Sequence, residues 1–221
     1  MRQIKFPRTS PLLLGLLVVV TLNQWARIVD DSSSSPTAIV AQGEERFPMN
    51  SLGEARSFSN YWVVVEAINE IIGPIEGEGG GAREGYASRT IEVVVEVLVW
   101  RSDSKIQLSN NFNMPLLGYA VQDGQQIPLN YEGAQRMEIG EKYLIGLIVE
   151  PEGITLASPR AVFKMSGGLV DQVSDAKEHG DLLNRLVGLS AGEVGRELSI
   201  ASPAVPDSLG TFEERLEIYN K

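Results

Sequence analysis

The sequence predicts a mainly β protein, with five to seven antiparallel strands in a barrel or sandwich. Short α-helices should follow the strands, and a hydrophobic helix should precede them. Three observations support this fold class. Stretches rich in β-branched and aromatic residues recur between residues 61 and 165, as is typical of strands. Turn-forming segments such as "QDG" (122–124) and "PEG" (151–153) separate them. Few helical patterns interrupt this part of the chain.

The first 29 residues predict an export signal. Residues 1–8 carry three basic side chains and no acidic one, and residues 11–22 form an uncharged apolar segment. Twelve residues are fewer than the roughly 20 that cross a bilayer as a helix. The sequence contexts for cleavage after Ala26 and Ala41 are both imperfect. A cleaved signal peptide and an uncleaved signal anchor therefore both remain open for residues 1–29.

This signal predicts where the rest of the chain resides. The basic N-terminus should stay in the cytoplasm, which places the following residues on the other side of the membrane. We expect a membrane-anchored protein facing outside the cytoplasm, or a secreted or periplasmic protein if the signal is cleaved. Lipid attachment through cysteine is excluded, because the chain has no cysteine.

The remaining chain divides into three segments by composition. The polar, proline-ended stretch "DDSSSSPT" (30–37) is typical of a tether, and we expect a flexible linker over residues 30–57. The strand-like stretches predict a β-barrel domain over residues 58–168. Residues 169–221 should form a helical C-terminal extension.

Seven strands are expected in this β-barrel domain. The stretch "QQIPLN" should lie at a sheet edge, because Pro128 has no N–H to donate to a central ladder. The predicted strands are "YWVVVEAI" (61–68), "IEVVVEVLVW" (91–100), "KIQLS" (105–109), "QQIPLN" (125–130), "KYLIGLIV" (142–149), "GITLAS" (153–158) and "AVFKM" (161–165).

The strand over residues 91–100 has one wholly apolar face. Its odd positions are all β-branched aliphatic residues, and we expect that face to be buried. The other face includes Glu92 and Glu96, which would lie about 13 Å apart at about 3.3 Å per residue. That separation is too large for a catalytic carboxylate pair. We therefore interpret both carboxylates as solvated.

Helical character begins near residue 171. Leu182, Leu183, Leu186 and Val187 form an apolar stripe at helical spacing. Two further short helices are predicted by capping boxes, one at Ser190 with Glu193 and one at Thr211 with Glu214. These helices should pack on the β domain, with partner binding as the alternative.

The order of segments carries a resemblance to a known family. A strand led by Tyr and Trp ("YWVVVEA"), a long connection, a strand ending in Trp ("EVLVWRSD") and a strand in "GEKYLIGLIVE" follow one another. This pattern, over about residues 58–166, resembles the netrin/TIMP-like OB-type β-barrel domain of exported bacterial proteins. The resemblance implies an OB-like barrel and no catalytic residue. Inhibition through an N-terminal cysteine, as in the animal members, does not carry over to a chain without cysteine.

Composition excludes several classes of function. Without cysteine, disulfides, thiolate zinc sites and cysteine nucleophiles are absent. Residues 42–221 hold 15 basic and 27 acidic residues, a net charge of −12. A body this acidic repels phosphate backbones, so we expect no nucleic-acid partner.

Two conspicuous segments do not predict a site. The glycine-rich stretch "GPIEGEGGGAREG" (73–85) is followed by a strand rather than a helix, so it is not a nucleotide-binding loop. Its carboxylates lack the ligand spacing of an EF-hand calcium loop. His179 is the one histidine, and no serine nucleophile motif accompanies it. We therefore predict no catalytic, metal-binding or cofactor-binding residues and no cofactor.

Three aromatic side chains are candidates for a ligand or partner face: Trp62, Trp100 and Tyr143. Aromatics of this kind bind ligands on OB-type sheets, and packing in the core is the alternative.

The sequence as a whole favours an exported, membrane-tethered, non-enzymatic β-domain acting in binding or envelope structure. Its partner would be an unknown protein or small ligand, and the membrane itself if the N-terminal segment is uncleaved. A hydrolase with an unidentified Ser/carboxylate site and an inhibitor-like module are the alternatives.

Overall fold

The computed structural model describes residues 39–41, 47–76, 85–102, 105–131, 134–171, 180–206 and 211–221. The predicted export signal, residues 77–84 of the glycine-rich stretch and His179 lie outside the described residues.

Strands and helices account for most of the described chain. The strands are β1 (Ile39–Ala41), β2 (Tyr61–Glu76), β3 (Gly85–Arg101), β4 (Asn111–Gln122), β5 (Gln125–Tyr131), β6 (Lys142–Glu150), β7 (Gly153–Leu156), β8 (Val162–Ser166) and β9 (Leu169–Val170). The helices are α1 (Leu52–Ser57), α2 (Gly180–Leu186), α3 (Ala191–Ile200) and α4 (Phe212–Tyr219).

Strands β2 to β9 form one antiparallel sheet. The order along it is β5-β4-β3-β2-β6-β8-β9, and β7 pairs with the second half of β6 while β8 pairs with the first half. β1 adds to the β5 edge in parallel. The sheet curls until β7 approaches β4, yet in the described ranges no ladder joins these two strands. The predicted antiparallel β class is therefore confirmed, and the sheet is open rather than closed.

Alternation along the strands divides the apolar side chains between two cores. In β2, Tyr61, Val63, Val65 and Ala67 face the inside of the curl, where they pack with side chains of β3, β4, β6, β7 and β8. The intervening Trp62 and Val64 face outward. Strand periodicity places successive side chains on opposite faces, so one strand contributes to both cores. We call the core inside the curl the inner core and the core on the outer face of the sheet the outer core.

The helices cover the outer face of the sheet. Leu182, Leu183 and Leu186 of α2 are buried there, as are Val194 and Leu198 of α3. Three residues of the predicted apolar stripe are therefore buried, and the fourth, Val187, is partly buried. In both predicted capping boxes the expected backbone bond forms: the Ser190 amide donates to Glu193 Oε2 at 2.8 Å, and the Thr211 amide donates to Glu214 Oε2 at 2.7 Å.

The last residues of the segment predicted to be a flexible linker belong to the outer core. Phe47, Met49 and Ala55 are buried, and α1 begins at an N-cap, Ser51, whose hydroxyl accepts a hydrogen bond from Glu54 N. The linker prediction for residues 30–57 thus extends too far, because the apolar residues after residue 46 pack against the helices.

One predicted strand is absent from the structure, and a strand that was not predicted follows it. Residues 105–109 are not a strand, although Ile106 and Leu108 pack against the inner core. The strand lies further on, in β4, which contains Pro115. β5 pairs with β4 only at Tyr119–Gln122, so Pro115 lies where β4 has a ladder on one side alone. A strand with one unpaired side accommodates proline without losing a ladder bond.

The apolar face of β3 is not buried as a unit. Ile91 and Val93 are fully buried in the inner core, but Val97 is 44% exposed and Val99 packs against the outer core. Register shifts between β2 and β3 at Trp62/Val63 and Val64/Val65 insert extra β3 residues. Such bulges re-aim the following side chains, which explains why strict alternation fails there.

Candidate functional site

The three aromatic residues predicted to form a binding face are packed within the protein. Trp62 and Tyr143 are 0% and 1% exposed, and they belong to the outer and inner cores respectively. Trp100 is half-buried against the outer core and lies across from Trp62. The polar atoms of the buried pair have internal partners: Trp62 Nε1 donates to Ser59 Oγ, and the Tyr143 hydroxyl accepts from Glu138 N, both at 2.7 Å. The structure therefore does not bring the three together on an exposed face.

The two carboxylates of β3 have separate surroundings. Glu96 accepts a hydrogen bond from Lys142 Nζ at 2.6 Å, and this bond raises the pKa of Lys142. Glu92 lies 3.5 Å from the amide nitrogen of Asn69. Neither carboxylate contacts the other in these interactions.

A buried arginine organises the most conspicuous polar cluster. Arg89 of β3 is 4% exposed, and its guanidinium forms an ion pair with Glu70 of β2. The same guanidinium donates to the carbonyl oxygen of Met137 at 2.5 Å. Arg89 has the strand parity of Ile91 and Val93, so the strand directs it to the inner side. A charge carried there needs a partner, and Glu70 provides it.

Two further side chains complete this cluster, which we call the Glu70 cluster (Glu70, Arg89, Tyr119 and Arg136). The Tyr119 hydroxyl donates to Glu70 Oε1 at 3.0 Å. The Arg136 guanidinium lies over the Tyr119 ring, 4.6 Å from its centroid, and Arg136 Nη2 is 4.0 Å from Glu70 Oε1. The cluster thus joins β2, β3, β4 and the segment before β6.

The electrostatics of the cluster keep Glu70 ionised. Burial by itself would raise the pKa of Glu70, but hydrogen bonds from Arg89 and Tyr119 and the charges of Arg89 and Arg136 outweigh it and lower that pKa. A carboxylate with a lowered pKa and neighbouring cations is a weak proton acceptor. The arrangement therefore favours holding strands together over acid–base catalysis.

Strand β2 extends beyond the end of β6 on one side, while β3 on its other side stays paired with β4. β6 pairs with β2 from Tyr61 to Glu66 only, and two further bonds join Ala67 to Gly140 and Glu141. β2 then continues to Glu76, paired with β3 on its other side. We call residues 68–76 of β2 with residues 85–92 of β3 the ribbon.

The ribbon exposes large aliphatic side chains. Ile68, Ile71, Ile72 and Ile75 are 42%, 48%, 41% and 43% exposed. Isolated exposed aliphatic residues are ordinary, whereas several within one short segment mark an interaction surface. Ile71 and Ile72 are consecutive in a strand, so the exposed apolar surface lies on both faces of the ribbon.

The charges on the paired strands β2 and β3 are mainly acidic. Over their full lengths these strands carry five glutamates and two arginines. Arg89 is buried with Glu70, and Arg101 is at the opposite end from the ribbon. The exposed rim of the ribbon is thus apolar and negatively charged.

The described ranges show neither a group of metal ligands nor a membrane-spanning helix. No group of three or more His, Cys, Asp and Glu side chains there is placed to hold a metal ion. Within the same ranges, no helix is both long enough and apolar enough to cross a membrane.

Comparison with known proteins adds no assignment. The chain matches no protein family, no curated protein and no solved structure.

Sequence reasoning missed both the Glu70 cluster and the ribbon, although each left a signal. An arginine two residues before Ile91, on the same strand parity, predicts a buried charge that needs a carboxylate. The isoleucines of "INEIIGPIE" continue the β-branched pattern beyond residue 68. Gly73 and Pro74 obscured that continuation, because this dipeptide usually marks a turn.

Proposed function

We propose that the chain is an exported, membrane-tethered β-domain that acts without catalysis, by binding a protein partner through the ribbon. The observation that carries the proposal is the set of four exposed isoleucines in the part of β2 that lies beyond β6. Protein interfaces are built around such apolar surface, which the partner buries.

The Glu70 cluster supports this role by fixing the ribbon. Arg89 connects β3 to Glu70 of β2 and to the Met137 carbonyl group. Tyr119 connects β4 to the same carboxylate. A surface held in one conformation loses less entropy on binding than a mobile one, so a rigid ribbon favours recognition.

The OB-type resemblance belongs to the same proposal. The strong curl of the sheet, with an inner core drawn from six strands and β7 approaching β4, supports a barrel-like relative of that architecture. The export signal and tether are supported by the basic and then apolar N-terminal residues.

A photo-crosslinking amino acid at position 71 tests the binding role in cells that express the full chain. We expect a discrete adduct with another protein. The same amino acid at position 200 is the control, because Ile200 is 76% exposed and lies at the end of α3, away from the ribbon. Equal adducts at both positions, or none at position 71, would contradict the proposal. An adduct with a protease would support the inhibitor-like alternative.

Cell fractionation with mass spectrometry of the mature N-terminus tests the location. We expect the chain in the membrane fraction with its N-terminal segment intact. A soluble product that begins near Gln42 would defeat the tether.

A further inference from the structure

We propose that residues 68–72 of β2 accept a short cationic strand from the partner, which adds to the sheet by backbone hydrogen bonds. This inference rests on the proposed function of the ribbon as a protein-binding surface. It names the binding mode, the paired residues and the chemistry of the partner segment.

The first argument is the unpaired edge. The last β6 residue paired with β2 is Lys142, opposite Glu66, and the bonds at Ala67 end the contact. Beyond that point the described part of the chain contributes no strand to this side of β2. An edge with unpaired backbone groups is a template for strand addition.

The second argument is a side-chain hydrogen bond that takes the place of a bond to a neighbouring strand. The backbone amide of Glu70 donates to Oδ1 of Asn69, its own neighbour, at 2.9 Å. Asparagine side chains offer the backbone such an alternative where a ladder bond is lacking. An added strand would replace this short-range bond with one of its own.

The length of the edge suits a single short strand. A register shift between Ile72 and Ile75 and the missing N–H of Pro74 interrupt the edge, because bulges and prolines prevent strand pairing. Five residues, 68–72, remain, close to the common strand length of about 5–6 residues. The interruption also protects the chain against open-ended assembly.

Side chains and charges define the segment that fits. Ile68, Ile71 and Ile72 offer apolar contacts. Glu66 precedes them in β2, opposite Lys142, and Glu92 lies across from Asn69 on β3; no described Lys or Arg forms an ion pair with Glu92. A segment alternating β-branched residues with Lys or Arg matches this surface. A second copy would bring acidic rims together, and an anionic bilayer would be repelled in the same way.

Synthetic peptides provide the test, with the full-length chain in detergent. The probe is a fluorescent ten-residue peptide of alternating Val and Lys, compared with its Val/Glu counterpart and with a Val/Lys version N-methylated at alternate residues. We expect the unmodified Val/Lys peptide to bind about tenfold more tightly than either, because the modified versions lose several hydrogen bonds or the charge match. Bound peptide should protect the amides of residues 68–72 from hydrogen exchange.

Variants locate the interaction. Glu66→Gln with Glu92→Gln should weaken Val/Lys binding about threefold, as for two exposed charge pairs. Glu217→Gln on α4 is the control and should change nothing. Asn69→Ala should strengthen binding about twofold, since it removes the competing bond to Glu70.

Three results would overturn the inference: equal binding of the Val/Glu peptide, equal binding of the N-methylated peptide, or protection of amides elsewhere. These failures are distinct from failure of the proposed function. If the position-71 crosslinker captures a different protein while the Val/Lys peptide does not bind, the binding role stands and the strand-addition inference falls. If the adduct is a second copy of the chain, the inference falls as well.

Discussion

The guanidinium of Arg89 and the carboxylate of Glu70 form an ion pair across β2 and β3, within the ribbon itself. Arg89 is almost fully buried, whereas the Glu70 side chain retains 25% of its exposure. The pair therefore sits at the boundary between the inner core and the surface. Its removal should affect the strands that support the isoleucines.

Arg89→Met should destabilise the protein by about 3 kcal/mol, since it leaves a partly buried carboxylate without its nearest cation and the Met137 carbonyl group without this donor. Urea unfolding followed by tryptophan fluorescence measures this change. The double variant Arg89→Met with Glu70→Leu should recover part of the loss, because the carboxylate that lost Arg89 is then absent as well. A single variant as stable as the wild type would show that the pair does not stabilise the ribbon.

The lowered pKa of Glu70 predicts a specific acid sensitivity. Burial would raise this pKa, but the hydrogen bonds and charges of Arg89, Tyr119 and Arg136 lower it overall. A group whose pKa is lower in the folded chain stabilises the fold fully above its unfolded value, ordinarily 4.5. That stabilisation disappears as the pH falls through the lower, folded value.

Glu70→Gln isolates this effect. The difference in unfolding free energy between wild type and Glu70→Gln should be constant at neutral pH and should shrink as the pH falls below about 4.5. Denaturant unfolding at a series of pH values measures it, and Glu217→Gln serves as the control for loss of an exposed carboxylate. A difference that grows on acidification would reverse the assigned direction.

Local patterns predicted local structure. The two capping boxes depend on contacts three residues apart, and both form as expected. β4 was missed because its proline is acceptable only where the sheet leaves one side unpaired, which depends on where β5 pairs. Likewise, the exposure of Val97 depends on bulges in the ladder with β2. The residue periodicity of one segment does not show which distant segment pairs with it, or in which register.

The partner of Arg89 illustrates the same limit. Strand parity directs its side chain inward, and that much is readable from "SRTIEV". The carboxylate that neutralises it is 19 residues earlier in the chain. The sequence does not show in which register the two strands pair. Sequence can therefore indicate a buried charge, whereas the register of the hairpin determines which of three glutamates in β2 meets it.

Two glycines of α3 test how the helices pack on the sheet. A Cβ at Gly195 would lie 2.5 Å from the carbonyl oxygen of Val99, whereas a Cβ at Gly192 would meet nothing within 4 Å. Gly192→Ala should therefore stabilise the protein by up to about 1 kcal/mol through helix propensity. Gly195→Ala should destabilise it by about 1–3 kcal/mol, since the clash displaces α3.

Thermal and urea unfolding of both variants measures the contrast. Because the two substitutions are chemically identical and occupy one helix, propensity affects them alike and the difference reports packing on β3. Similar effects at both positions would mean that α3 does not lie against the Val99 carbonyl group.

The C-terminal helix depends on a contact with α1. The Tyr219 hydroxyl donates to Glu54 Oε1 at 2.5 Å, and this bond raises the pKa of Tyr219. The Tyr219 ring also meets Phe58 edge to face, with centroids 5.6 Å apart. Tyr219→Phe removes the hydroxyl and retains the ring, whereas Tyr219→Ala removes both.

We expect Tyr219→Phe to increase hydrogen exchange in α4 modestly, because one hydrogen bond to a charged group contributes about 1.5–3 kcal/mol when buried and less at a residue that is 40% exposed. Tyr219→Ala should increase it further, through loss of the aromatic contact. Exchange in residues 68–76 of β2 should not change, since α4 packs against the outer core and not against the ribbon. Equal protection of α4 in all three proteins would mean that Phe212 and Arg215 hold the helix without Tyr219, through the Phe47 ring and the Ser57 carbonyl group.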